Sequence, residues 1–409
     1  MAIFFAIIIF SFLIFIHELG HFLAAKASGV QVNEFSMFMG PALVKWQRGE
    51  TLYSIRCIPL GGYCAMEGED TDTENPRSFQ KAAWWKRLCI LLAGAAMNFV
   101  SGFLIFALVL SPAKGFAQPV IAEAEAGNTI VYEEGLHLGD RILKINGNRV
   151  YVSSDATMLF NLQPADTYDL VVERDGEKVV LHDFAMERHE FPNADGSTSL
   201  RYGIRFGYED KTFGSLMNYT WNNCLSVVQS VKLSLQMLVK GQAGLNDVAG
   251  PVGIVQMMNT TAQASPTTLD AVLNLLYFGA FIAVNLAVMN LLPIPALDGG
   301  RAVALLLTVA IEKITRRKLN PKYEGYIHAA GMILLLGFMA VVMFKDIFVI
   351  FKGYPYDETN SCGWCSHQRR RPGGNPIHAQ YQNHGCRRLS GTDSRLENRR
   401  LPDCETGCA

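Results

Sequence analysis

The feature that most constrains this chain is an apolar run at its start. Every residue from position 2 to 15 except Ser11 is apolar or aromatic, and Phe22, Leu23, Ala24 and Ala25 extend the run. A helix rises 1.5 Å per residue, so about 20 such residues cross the hydrocarbon of a bilayer. A lone segment there must satisfy its backbone internally, and only a helix does so. No basic residue precedes the run, which argues against a cleaved leader and for a retained span. Inside it stand three ionisable side chains, His17, Glu18 and His21. Such groups are costly at membrane depth and mark a functional site.

Three more apolar runs follow, at about 88–110, 271–292 and 329–350. Half of the 409 residues are hydrophobic and only 18% are charged, which points to a membrane protein rather than a large soluble core. A net charge of −1 provides no broad basic surface, so no nucleic-acid partner is expected.

Residues 17–21 read H-E-x-x-H. On a helix the two histidines are i and i+4 and share one face, where they can hold one Zn²⁺ ion. Glu18 is then placed to take a proton from the attacking water. The plain alternative is a chance match, and the apolar setting weighs against it, because an unpaired glutamate there has no structural use. The third run ends in Asn290-Leu-Leu-Pro293-Ile-Pro295-Ala-Leu-Asp298-Gly-Gly. Two prolines open the backbone, and Asp298 on such a loop is either a third ligand or the cap of a helix starting near Arg301. The second run holds Gly94-Ala-Ala-Met-Asn98. Small residues there permit close helix packing, and Asn98 reads equally well as a helix-to-helix hydrogen bond or a substrate contact.

Between the runs the pattern changes. Residues 30–38 and 52–58 alternate like strands, with turns at Gly40-Pro41, Gly49-Glu50 and Pro59-Leu60-Gly61-Gly62. A short antiparallel sheet is expected beside the first helix, as a surface hairpin or as an edge that a substrate strand joins. Residues 117–209 form short strands with turns, including a hairpin signal at Asp175-Gly176, and suit one small soluble domain. Residues 214–242 suggest a helix lying against the membrane. Lys and Arg flank the first-to-second and third-to-fourth connections, which places both in the cytoplasm and the insert outside. That topology puts His17 and Asp298 at similar depth, toward the cytoplasmic half.

The expected division is therefore a span at 1–26, a hairpin and loop at 27–83, and a span at 84–112. A domain at 113–210, a linker at 211–268 and a span with the Asp298 loop at 269–311 follow. A loop at 312–326, a span at 327–352 and a disordered tail at 353–409 complete it. Five of the nine cysteines crowd that tail, and Cys362-Gly-Trp-Cys365 lacks a clearly spaced second pair for a metal.

Jointly, the H-E-L-G-H of the first span, Gly94 to Asn98, the stretch from Gly135 to Gly147 and the run from Asn290 to Gly300 carry a resemblance. The chain resembles the site-2 protease family of intramembrane zinc metalloproteases, in the bacterial branch typified by the regulator of sigma-E protease. The resemblance implies a polytopic α-helical membrane protein with four transmembrane helices, a membrane-associated β-hairpin and one extracytoplasmic PDZ-like α+β domain. Some relatives carry two such domains. It implies zinc on His17, His21 and Asp298, Glu18 as catalytic base, and Asn98 and Asn290 near bound substrate. It further implies that the partners are the lipid bilayer and single-span membrane proteins already trimmed by another protease, such as anti-sigma factors or signal-peptide remnants.

Two other classes compete. A metal transporter also lines its path with His, Glu and Asp, but no internal repeat is evident. A non-catalytic adaptor built on the insert has no use for Glu18.

Overall fold

The computed structural model describes residues 2–69, 73–125, 130–131, 135–162, 167–192, 198–244, 250–316 and 322–351. The cysteine-rich tail lies outside them. The chain opens with helix α1 (Ala2–Ser28), then strands β1 (Val32–Arg48) and β2 (Thr51–Met66), then helix α2 (Trp84–Leu110). The hairpin is longer than the two short strands expected, because Gly40-Pro41 and Pro59-Leu60-Gly61 act as bends inside strands rather than as ends. Phe38, Gly40 and Gly61 take φ of 70°, 84° and 85° at those bends. Residues 34–37 consequently pair with 62–65 on one side and with 52–55 on the other, while 42–48 pairs with 51–56. Two bent strands thus make a curled sheet of four segments, ordered 42–48, 51–58, 32–37, 62–66. Arg56 stitches the bend, donating to Glu34 Oε1 at 2.7 Å, to the Gly40 carbonyl at 2.7 Å and to the Tyr63 hydroxyl at 2.6 Å.

A mixed unit of sheet and helix follows, made of β3 (Gly115–Ala124), β4 (Arg141–Ile145), β5 (Asn148–Arg149), α3 (Ser153–Leu162), β6 (Thr167–Arg174), β7 (Glu177–Ala185), β8 (His189–Pro192), β9 (Thr198–Arg201) and β10 (Ile204–Asp210). Its main sheet runs β10-β3-β4-β6-β7, with β5 on β4. The β6–β7 turn falls at Asp175-Gly176, as the sequence suggests, and both residues have positive φ. Ile121, Leu136, Ile142, Tyr168, Leu170 and Val172 alternate inward and are almost fully buried. Beside that core Arg174 donates to Asp140 at 2.7 Å. Burial alone would raise the Asp140 carboxyl, but Arg174 and the His137 N–H hold it below the usual carboxylate range.

The remaining elements are helices: α4 (Phe213–Val239), α5 (Pro251–Gln263), α6 (Thr268–Asn290), α7 (Asp298–Thr315) and α8 (Lys322–Phe351). Thr212 caps α4 in a capping box with Ser215. Helix α4, within the segment expected to lie against the membrane, bridges two regions. Trp221 of α4 packs edge-on to Phe99 and Phe103 of α2, and its Asn223 accepts from Tyr277 of α6. Farther along, Ser226 and Gln229 bond to Asp155 and to the Arg149 carbonyl of the sheet unit.

Among the described residues, four helical stretches are long and apolar enough to cross a membrane: Phe4–Ser28, Trp84–Leu110, Thr268–Asn290 and Gly325–Phe348. The fourth is the most lipid-like, with Ile333 and Leu334 73% and 75% exposed. Its Asp346 is nonetheless fully buried and accepts the Gly253 N–H of α5 at 2.9 Å.

Candidate metal centre

The face of α1 that carries His17 and His21 packs on α2 and on the start of α7. Helices come this close because glycines line the seam. A Cβ on Gly20 would stand 2.4 Å from the Ala93 carbonyl oxygen. One on Gly94 would stand 2.4 Å from His21 Nε2 and 2.7 Å from His17 Cε1. The small residues of the second run therefore make room for the histidine rings themselves.

His21 Nδ1 lies 2.8 Å from the Ile90 carbonyl oxygen. A carbonyl only accepts, so Nδ1 carries the proton and Nε2 presents a lone pair. Asn98, 1% exposed, sets its carboxamide nitrogen 3.3 Å from His17 Nδ1, and its Oδ1 has no hydrogen bond. The two ends of a carboxamide exchange by a half-turn. With oxygen toward the ring, Asn98 accepts the Nδ1 proton and leaves His17 Nε2 with a lone pair as well.

Asp298 reaches the same point from the opposite side. After α6 ends at Asn290, the prolines break the helix, and a turn through Ile294 and Leu297 leads into α7. Asp298 is the first residue of α7, but it does not cap it: no side-chain cap hydrogen bond is present. The two glycines after it have a steric reason. A Cβ on Gly299 or Gly300 would fall within 2.5 Å of the backbone at Leu291 or Ile294, so the first turn of α7 sits directly on the loop.

Asp298 Oδ2 stands 3.0 Å from His17 Nε2 and 3.3 Å from His21 Nε2, and the two nitrogens are 3.2 Å apart. Tetrahedral zinc with bonds of about 2.0 Å spaces its ligand atoms by about 3.3 Å. Oδ2 is buried and accepts no hydrogen bond. With both imidazoles in these tautomers, three lone-pair atoms meet with no proton between them, the arrangement a cation resolves, and the donor set of two imidazoles and a carboxylate suits zinc. No other cluster of three such groups within metal-binding range occurs among the described residues.

Glu18 packs against β2. Gly62 passes so near that a Cβ there would lie 3.6 Å from Glu18 Cγ, and Ser11 donates to the Pro59 carbonyl at 2.8 Å. The α1 face of Ser11, Ile14 and Glu18 thus runs under the last segment of β2. That segment, 62–66, is paired on one side only among the described strands. Asn290 closes α6 half-buried, on the element that leads to Asp298, without a side-chain hydrogen bond among the described residues.

Several contributors escaped the sequence. The Ile90 carbonyl orients a ring, yet any residue supplies a carbonyl. Glu69 bonds Arg301 in the first turn of α7, a pair 232 positions apart that neither local pattern signals. The only advance sign was the basic residue directly after Asp298-Gly-Gly.

A family model, peptidase family M50, matches residues 5–338. A putative zinc metalloprotease of Clostridium perfringens is 36% identical over 85% of this chain and 98% of its own length. A second putative zinc metalloprotease, from Clostridium acetobutylicum, is 35% identical over 84% of this chain and 96% of its own length. The regulator of sigma-W protease RasP of Bacillus subtilis is 27% identical over 84% of this chain and 98% of its own length.

Proposed function

Because this chain belongs to peptidase family M50 and is a multi-pass zinc metalloprotease of the site-2 protease type, we propose that it hydrolyses peptide bonds within the membrane spans of single-span proteins. The observation that carries the reading is the triangle of lone-pair atoms, 3.0–3.3 Å on a side, between helices whose outer faces are apolar.

His17, His21 and Asp298 would hold the metal, the two imidazoles and one carboxylate supplying the donors. Zinc bound there supplies Lewis acidity to the scissile carbonyl and to the attacking water. Glu18 takes the proton from that water and passes it to the leaving amine nitrogen. Asn98 fixes the tautomer and orientation of His17, and Asn290 faces the substrate. A substrate helix hides its carbonyls in its own hydrogen bonds and must open before attack. Segment 62–66 lies over Glu18 with an unpaired edge, so an opened substrate strand adds there and its freed backbone groups are satisfied again.

The positive flanks of the loops put the metal end of the bundle toward the cytoplasm and the sheet unit, a PDZ-like domain, outside. A folded domain over the entrance excludes substrates with bulky external parts and admits trimmed ones. Trimmed anti-sigma factors and signal-peptide remnants fit this description. The name of the Bacillus subtilis relative, regulator of sigma-W protease RasP, points the same way.

Glu18→Gln separates chemistry from metal binding. The variant should keep its zinc and lose cleavage of a single-span reporter by about 10²–10⁴-fold. Zinc content and reporter cleavage, measured on the same preparations, check this. Loss of zinc together with activity would make Glu18 a structural residue and sink the assignment.

A further inference from the structure

The loop that carries Asp298 holds a residue in an unfavourable conformation, and the fourth span reaches in to it. Ala296 has φ of 84°, the left-handed region that L side chains rarely adopt. Its N–H donates to His328 Nδ1 of α8 at 3.3 Å. Three residues along the same helix, a Cβ on Gly331 would stand 2.3 Å from Pro295 Cβ, so the α8 backbone lies flush on the loop. On the other side the first turn of α7 rests on Leu291 and Ile294. The loop is thus gripped between α7 and α8, with Asp298 two residues beyond the strained alanine.

We propose that His328 is a positioning residue for the metal centre: by accepting the Ala296 N–H it keeps that residue left-handed and so aims Asp298 at His17 and His21. The proposal rests on the reading of those three residues as metal ligands. An alanine freed from this bond relaxes toward negative φ, and a rotation at 296 carries everything after it. The Asp298 carboxylate then leaves a triangle whose sides are 3.0–3.3 Å. The fourth span, otherwise mostly exposed apolar surface, gains a task besides crossing the membrane.

The test reads zinc release to a chelator from the purified full-length protein. His328→Ala should release zinc roughly tenfold faster than the parent, as replacements just outside the ligand shell do. His328→Asn places an oxygen acceptor about where Nδ1 stood and should restore the parental rate. Glycine adopts left-handed φ without strain, so Ala296→Gly should suppress His328→Ala. A histidine that merely packed the span would not be rescued in this way. Should His328→Ala fail to fold, His328→Gln keeps the bulk but sets its acceptor beyond the Ala296 N–H and serves in its place. Release at the parental rate from the folded variant, or no suppression by Ala296→Gly, overturns the proposal. Asp298→Ala separates the two readings. If it binds zinc as the parent does, the ligand assignment fails; if it loses zinc while His328→Ala does not, only the role of His328 fails.

Discussion

Leu170, in the sheet unit, is fully buried, whereas Leu104 and Leu108 on α2 are 60% and 64% exposed. The two regions obey opposite rules because they face different solvents. In the sheet unit apolar side chains gather inside. In the bundle they point out, where hydrocarbon is the solvent, and the buried side chains include polar ones: Asn98 at 1%, His21 at 7%, Ser11 at 8% and Asp346 at 0% exposure. His21 bonds the Ile90 carbonyl, Ser11 the Pro59 carbonyl and Asp346 the Gly253 N–H. Burial therefore carries different information in each region. In the sheet unit a buried leucine reports stability, and in the bundle a buried polar group reports either a structural tie or the site.

The largest expected effect comes from the smallest change in the bundle. Gly94→Ala puts a methyl 2.4 Å from His21 Nε2 and 2.7 Å from His17 Cε1, so both rings must shift and the triangle with Asp298 is disturbed. Zinc content should fall at least about tenfold, as when a ligand's supporting shell is disturbed, and cleavage should vanish. Metal analysis of the folded variant decides it. Parental zinc content would mean that the rings are held less tightly than the packing implies.

A much larger deletion in the sheet unit should do less to the site. Leu170→Ala leaves a cavity in a core of fully buried residues and should cost about 2–5 kcal/mol of the unit's stability. Zinc content and cleavage of a trimmed substrate should stay parental, while an untrimmed substrate becomes cleavable if the unit acts as a size filter. Limited proteolysis of the unit, zinc content and the two cleavage rates test this together. Loss of zinc would break the comparison, and the α4 bridge from Asp155 through Trp221 to Phe99 would be the route of the coupling.

What the sequence revealed follows the same divide. His17, Glu18, His21 and Asp298 stood out because ionisable groups in apolar runs are anomalous, and the same contrast marked the four spans. In the sheet unit nothing is anomalous: its strands and the Asp175-Gly176 turn were legible, but no residue declared a task. The hairpin was half legible. Alternation announced strands, yet Gly40-Pro41 looked like an end when it is a bend, since a bend and a turn use the same residues. Contacts such as Glu69 with Arg301, or His328 with Ala296, depend on how distant elements dock, which no local pattern encodes.

The smallest expected effect lies at the water-facing base of the hairpin, where neither rule applies strongly. Glu50 accepts from Arg77 at 2.5 Å and from Lys26 at 2.7 Å. Arg77 first, and then Lys26, hold its carboxyl down to about 2, against an ordinary 4.5. A carboxyl whose folded value is depressed adds stability that is complete above its ordinary value and drains away as pH falls toward the folded one. The parent should therefore exceed Glu50→Gln in thermal stability above pH 5, and the gap should close as pH falls from about 4.5 to about 2. Because the group is partly exposed and salt screens it, the gap should be on the order of 0.5 kcal/mol. Zinc content should not change at pH 7, since His17, His21 and Asp298 draw nothing from this pair. Melting curves of parent and variant across that pH range supply the test. Two curves that stay parallel down to pH 2 would show that the ion pairs at the end of α1 add nothing, and that packing of Phe22, Phe35 and Tyr53 alone sets the hairpin on the helix.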